Sequence, residues 1–180
     1  MEFYNQNIQL DKNVIHDIFK QFQSKTNIKM LVFGLGYDSR MWYNGNKNTY
    51  FVEDNNEYIQ LNHNYIPKEN IIRYNYQNIT VEKSFQMNDR ELFDYKVPDK
   101  LLELAPFDII LIDGPEGYNP QKPGRLIPCY WTYRFLSKKG TIIYIDDSVR
   151  KLENYCINRF FQKKEKKILK KREWCTKIIY

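Results

Sequence analysis

Two short runs constrain this chain more than anything else in it: Phe107-Asp108-Ile109-Ile110-Leu111-Ile112 and Thr141-Ile142-Ile143-Tyr144-Ile145. Each is apolar almost throughout, without polar–apolar alternation, so both faces of the strand it forms must be covered. Each is also stopped by acids, Asp113-Gly114-Pro115 after the first and Asp146-Asp147 after the second. Strands buried on both faces belong to parallel sheets with helices on either side.

The rest of the chain fits that frame. Asp11 to Phe22 carries Val14, Ile15, Ile18, Phe19 and Phe22 at helical spacing, and Ile28 to Leu35 is a β-branched, apolar run ending in glycines. Asn48 to Asp54 reads as a second strand, Glu57 to Leu61 as a short helix and Asn70 to Tyr76 as a third strand. Residues 77 to 98 are polar and carry no clear period, and Lys100 to Leu104 is one or two helical turns. Ile127 to Leu136 and Leu152 to Phe161 are helical, and two short strands near 167–172 and 175–180 close the chain. The connection between these last two is too short for a crossover helix, so they form an antiparallel hairpin at the sheet edge. Five parallel strands with such a hairpin, helices on both faces, is the Rossmann-like class I methyltransferase fold.

The 180 residues suit one domain spanning 1–180. No apolar run approaches the roughly 20 residues that span a bilayer. The N-terminal MEFYNQNIQLDKN has neither the basic nor the apolar region of a secretory signal, so a cytoplasmic protein with no membrane partner is expected. Cys129, Cys156 and Cys175 are odd in number and unpaired in spacing, which argues against a disulfide scaffold or a zinc knot. His16 and His63 have no metal-ligand spacing either. The net charge of +6 owes much to Lys163–Arg172. A stretch like this binds polyanions or is a solvated face, and the second reading is the commoner one.

The chemistry resides at strand ends. Gly34-Leu35-Gly36 lies where a strand turns toward a helix and allows close backbone approach, to a ligand or within a tight turn. The third glycine of a dinucleotide fingerprint is replaced by Ser39. Glu53, 19 residues after Gly34, ends the second strand, where an acid accepts hydrogen bonds from ribose hydroxyls; Asp54 adjoins it. Together these describe an adenosine site, and the missing glycine favours S-adenosylmethionine over NAD. In a doubly wound sheet Asp113, Asp146 and Asp147 converge beside that site. There they can hold a divalent cation such as Mg, Mn or Co, one can take a proton from a hydroxyl, or they can cap the following helices. The loop Glu116–Arg125 overhangs the site, with Tyr118 available to stack on a flat ligand and Arg125 to pair with an anion.

These residues also carry a family resemblance. Leu31-Val32-Phe33-Gly34-Leu35-Gly36-Tyr37-Asp38-Ser39-Arg40-Met41-Trp42, Thr49–Asp54, Phe107–Tyr118 and Pro123-Gly124-Arg125 resemble, in the same order, the plant glucuronoxylan 4-O-methyltransferases and their polysaccharide-biosynthesis relatives, over roughly residues 25 to 150. The resemblance implies S-adenosylmethionine-dependent methylation of a sugar hydroxyl, on a glycan, polysaccharide or nucleotide-sugar. It matches Gly34, Gly36 and Glu53 to the cofactor-binding positions and Asp113 to the acid of the family's DGP motif; Asp38, Ser39, Asp54 and Asp113 are expected to complete the cofactor site, and Asp113 also to be catalytic. Tyr37 stands where the family commonly has histidine, and Glu116 where a basic residue is common, so a different acceptor from xylan is expected. Three alternatives stand beside this reading: an RNA or cap methyltransferase, a cation-dependent small-molecule O-methyltransferase, and a non-catalytic adenosine-ligand domain. Against nucleic acid, Asp146 and Asp147 occupy the place where ribose methylation of that type uses a lysine.

Overall fold

A computed structural model describes residues 8–169 and 175–180. Seven strands form one sheet in the order β3-β2-β1-β4-β5-β7-β6. They are β1 (Met30–Phe33), β2 (Thr49–Glu53), β3 (Ile71–Arg73), β4 (Phe107–Ile112), β5 (Ser137–Asp146), β6 (Glu165–Ile168) and β7 (Cys175–Ile179). The first five pair in parallel, and β7 runs antiparallel to both β5 and β6. This is the arrangement expected from the alternation of runs. Ile109 to Ile112 are all buried, as a strand covered on both sides requires.

Each face has its own core. Met30, Val32, Phe51, Ile109 and Leu111 pack with Val14, Ile15 and Ile18 of α1 (Lys12–Ser24) and with Met41 and Trp42 of α2 (Ser39–Gly45). Leu31, Phe33, Ile110, Ile112 and Ile143 face the other way. They meet Leu126 and Trp131 of α7 (Leu126–Trp131) and Cys156 and Phe161 of α8 (Lys151–Phe161). Burial of one such side chain stabilises by about 1.5–3 kcal/mol, so the period-2 switch between faces fixes the strand register.

Several boundaries differ from the sequence reading. α2 follows the glycines directly and is too short to show a helical period. Residues 77–98, which have no clear period, hold two helices, α4 (Val81–Ser84) and α5 (Asp89–Asp94), each started by a side-chain cap rather than by an apolar stripe. Asn88 and Glu91 form a full capping box at α5. A third short helix, α6 (Asp99–Leu104), covers the Lys100–Leu104 turns. The run to Leu136 is not one α-helix: α7 passes into a π-helical turn, Thr132–Leu136. The strand expected near 167–172 lies earlier, as β6, and its residues 170–172 fall outside the described part. β6 is exposed along its length, as are Lys163, Lys166 and Lys167. No described helix is long and apolar enough to cross a membrane.

Candidate active site

Because β1, β2, β4 and β5 are parallel, their C-terminal ends and the loops after them meet on one edge of the sheet. Gly34, at φ +114°, donates from its N–H to Val52 O at 2.8 Å, and Asp113 N–H donates to Phe33 O at 3.1 Å. The two loops then touch through bare backbone. A Cβ on Gly114 would stand 2.9 Å from Gly34 Cα, and one on Gly34 would meet the Gly114 backbone at 3.4 Å. The freedom of Gly34 serves this loop-to-loop contact, the tight-turn use that the sequence allowed beside a ligand approach. Gly36 is the glycine that faces open space. It has no positive φ, and a Cβ there would meet only the Asp38 carboxylate, at 3.3 Å.

Gly36, Tyr37, Asp38, Tyr58 and Asp113, with Ile8, Gln9 and Leu10, line a cavity of about 130 Å³. Asp38 precedes α2 but does not cap it; its carboxylate accepts from Trp42 Nε1 at 2.7 Å. Burial, then the nearby charge of Asp113, push its pKa up to about 7. Ser39 is buried behind it and does not line the cavity. Tyr37 is 45% exposed and meets Tyr58 edge-on at 6.2 Å, an aromatic pair at the rim.

Glu53 closes the loop from the β2 side. One oxygen accepts from Leu35 N–H at 2.7 Å, and the other from Asp54 and Asn55 N–H at 2.9 and 2.8 Å. Burial raises its pKa to about 7 against these hydrogen bonds. Asp54 is half-buried; it donates its N–H to Glu53, and its side chain also hydrogen-bonds the Glu53 carboxyl and helps to raise its pKa. Asn62, at the end of α3 (Asn56–Asn62), gave no sequence signal. It is fully buried, and its amide donates to Leu35 O at 3.1 Å and Tyr58 O at 3.0 Å, pinning the glycine loop from below.

The three acids do converge: carboxylate oxygens of Asp113, Asp146 and Asp147 all lie within 4.8 Å of one another. Asp147 reaches the cluster with φ 54°, a left-handed conformation that Asp tolerates. The Asp146 and Asp113 carboxyls are hydrogen-bonded, and burial followed by the charge of Asp113 raises Asp146 to about 7. Asp113 is also raised, by burial, against the pull of Arg125.

Arg125 turns inward, where the sequence reading had it meet an acceptor. Its side chain is 4% exposed. It donates to Asp113 O at 2.6 Å, Asp113 Oδ1 at 3.2 Å, Asp147 Oδ2 at 3.0 Å and Asp146 O at 2.5 Å. Glu153 of α8, wholly buried, stands 4.0 Å from Arg125 Nε. Tyr118 is 63% exposed, with the Lys122 ammonium 5.2 Å from its ring, and it does not line the cavity. Hard carboxylates at this spacing suit a hard divalent cation, although two of their oxygens already accept from the guanidinium.

No protein-family model matches the chain. Among curated proteins it is 29% identical over 162 residues to arabinogalactan O-methyltransferase 2 of Arabidopsis thaliana, covering 76% of this chain and 55% of the relative. It is 24% identical over 172 residues to protein IRX15-LIKE of the same plant, covering 81% and 53%. The chain thus spans about half the length of these relatives. Among solved structures, a Staphylococcus aureus protein assigned as a caffeoyl-CoA O-methyltransferase superposes with a TM-score of 0.57 at 16% identity, covering 95% of this chain and 85% of that one. In sequence the chain is similar to the plant polysaccharide O-methyltransferase family, and it has the Rossmann-like class I methyltransferase fold.

Proposed function

We propose that this protein is an S-adenosylmethionine-dependent O-methyltransferase whose acceptor is a sugar hydroxyl of a glycan, polysaccharide or nucleotide-sugar. The observation that carries the reading is the cavity at the C-terminal strand ends, lined by Gly36, Asp38 and Asp113 together. Glu53 fixes the glycine loop through Leu35 N–H, and its place at the end of β2 suits a ribose hydroxyl. The arabinogalactan O-methyltransferase among the relatives supports a sugar acceptor.

The cofactor supplies an electrophilic methyl group. The chain's own residues bind, orient and take up a proton. Gly36 leaves room for the ligand, and Asp38 and Asp113 present negative charge to its ammonium group. Asp113, half-buried and raised above its ordinary value, is the base that accepts the hydroxyl proton as the C–O bond forms and the methyl carbon–sulfur bond breaks, with S-adenosylhomocysteine as the leaving group. Alternatively, Asp113 with Asp146 and Asp147 would hold a divalent cation, Mg, Mn or Co, through carboxylate oxygens shared with one another and with Arg125, and the cation would lower the pKa of the hydroxyl. Alignment of the hydroxyl with the methyl group provides the remainder of the rate.

Calorimetry with S-adenosylhomocysteine, with NAD as control and with or without magnesium, tests the reading. Binding of the homocysteine compound alone is expected, weakened roughly tenfold or more in Glu53→Ala. Absence of binding to the wild-type chain overturns it.

A further inference from the structure

The residue that organises the acid cluster is a cation already in the fold. Arg125 leaves the loop just before α7 and enters a layer where its side chain is almost wholly enclosed. Its fork bridges two neighbouring strand ends, taking the main-chain and side-chain oxygens of Asp113 after β4 and the Asp146 carbonyl and Asp147 carboxylate after β5. A planar guanidinium can do this and an ammonium cannot, because only the former offers several fixed N–H directions at once. Arg150 adds a second contact to Asp147, at 2.9 Å, from the more exposed side.

Behind Arg125 lies a further acid with no other use. Glu153 has zero exposure, neither of its oxygens has a hydrogen-bond partner among the described residues, and Arg125 Nε is likewise unpartnered. Unpaired charge at such depth is costly, and the guanidinium is the cation placed to offset it.

We propose that Arg125, backed by Glu153, is the resident counter-cation of the Asp113, Asp146 and Asp147 cluster. It is a positioning residue that holds Asp113 at the cavity wall and competes with any divalent cation for the cluster's oxygens. The inference rests on the reading of that wall as the methyl-transfer site, and it changes what a metal can do there. A cation that binds must take the outward oxygens and share Asp113 and Asp147 with the guanidinium. Arg125 is thereby removed from the set of acceptor-binding residues.

The test is direct titration of the full chain with Mn²⁺, read by the loss of the free-ion electron paramagnetic resonance signal, in wild type and Arg125→Gln. Removal of one positive charge a few ångströms away is expected to tighten Mn²⁺ binding roughly tenfold or more. Arg125→Lys, which keeps the charge, is expected to stay within about threefold of wild type. If Arg125→Gln does not fold, Arg125→Gln/Glu153→Gln, which removes both buried ionisable groups and keeps the volume at position 153, is read in the same way. Equal or weaker Mn²⁺ binding in the folded variant, or no binding to either protein, overturns the proposal. S-adenosylhomocysteine calorimetry on the same wild-type sample reports separately on the methyltransferase reading.

Discussion

At the scale of single residues, the loops after β1 and β4 meet in a joint between two glycines. Gly114→Ala would place a methyl group 2.9 Å from Gly34 Cα, with backbone rather than a movable side chain in its way. Its cost is expected at about 1–3 kcal/mol, seen as a lowered denaturation midpoint. Gly36→Ala is the informative contrast. Its new methyl would meet only the Asp38 carboxylate, at 3.3 Å, so the midpoint should hold while S-adenosylhomocysteine affinity falls. Gly34 and Gly114 thus share the joint while Gly36 borders the cavity, and only the structure separates the two glycines of the GxG pair. The sequence placed Gly34, Gly36, Asp113, Asp146 and Asp147 at the right strand ends, because strand ends follow from apolar runs and their stops. It could not show that Arg125 turns inward, since a Pro- and Gly-rich loop has no period from which a side chain's direction can be read.

At the scale of elements, what reads well from the sequence are the segments whose burial spans a whole face. β4 and the core of β5 announce themselves through Ile109–Ile112 and Ile143–Ile145. α4 and α5 do not, because four to six residues complete barely one helical turn or two and are set by Thr80 and Asn88 caps. The π turn after α7 escapes for a related reason: a period tuned to 3.6 residues cannot see where the winding changes. α3 shows how a helix end serves a loop it does not adjoin. Asn62→Ala would strip the amide that holds Leu35 O and leave buried carbonyls without that donor. A loss of about 1–3 kcal/mol in urea unfolding is expected, together with weaker S-adenosylhomocysteine binding. An unchanged midpoint would show that the glycine loop holds itself.

Across the whole molecule, the acids set the pH response. Asp38, Glu53 and Asp146 are raised to about 7 in the fold, chiefly by burial, from ordinary values of 3.8 and 4.5. Between those limits the folded chain holds protons that the unfolded chain has released. Their contribution to stability is therefore complete below about pH 4 and is lost as pH rises through about 7. Asp17 and Asp108, lowered by Lys177 and by Lys29 with Lys138, act in the opposite sense only at still lower pH. The melting temperature of the protein without cofactor should fall between pH 5 and pH 8, and Asp38→Asn should flatten that slope. A melting temperature that rises over the interval would contradict the burial of these groups.

The contact between Gly34 and Gly114 has a consequence for how such a protein can change over generations. That contact is main chain against main chain, so its shape depends little on which side chains surround it. Tyr37 and Tyr118 stand at 45% and 63% exposure, so they contribute little to the core. Residues at that exposure can be exchanged while the backbone joint between Gly34 and Gly114 keeps its shape.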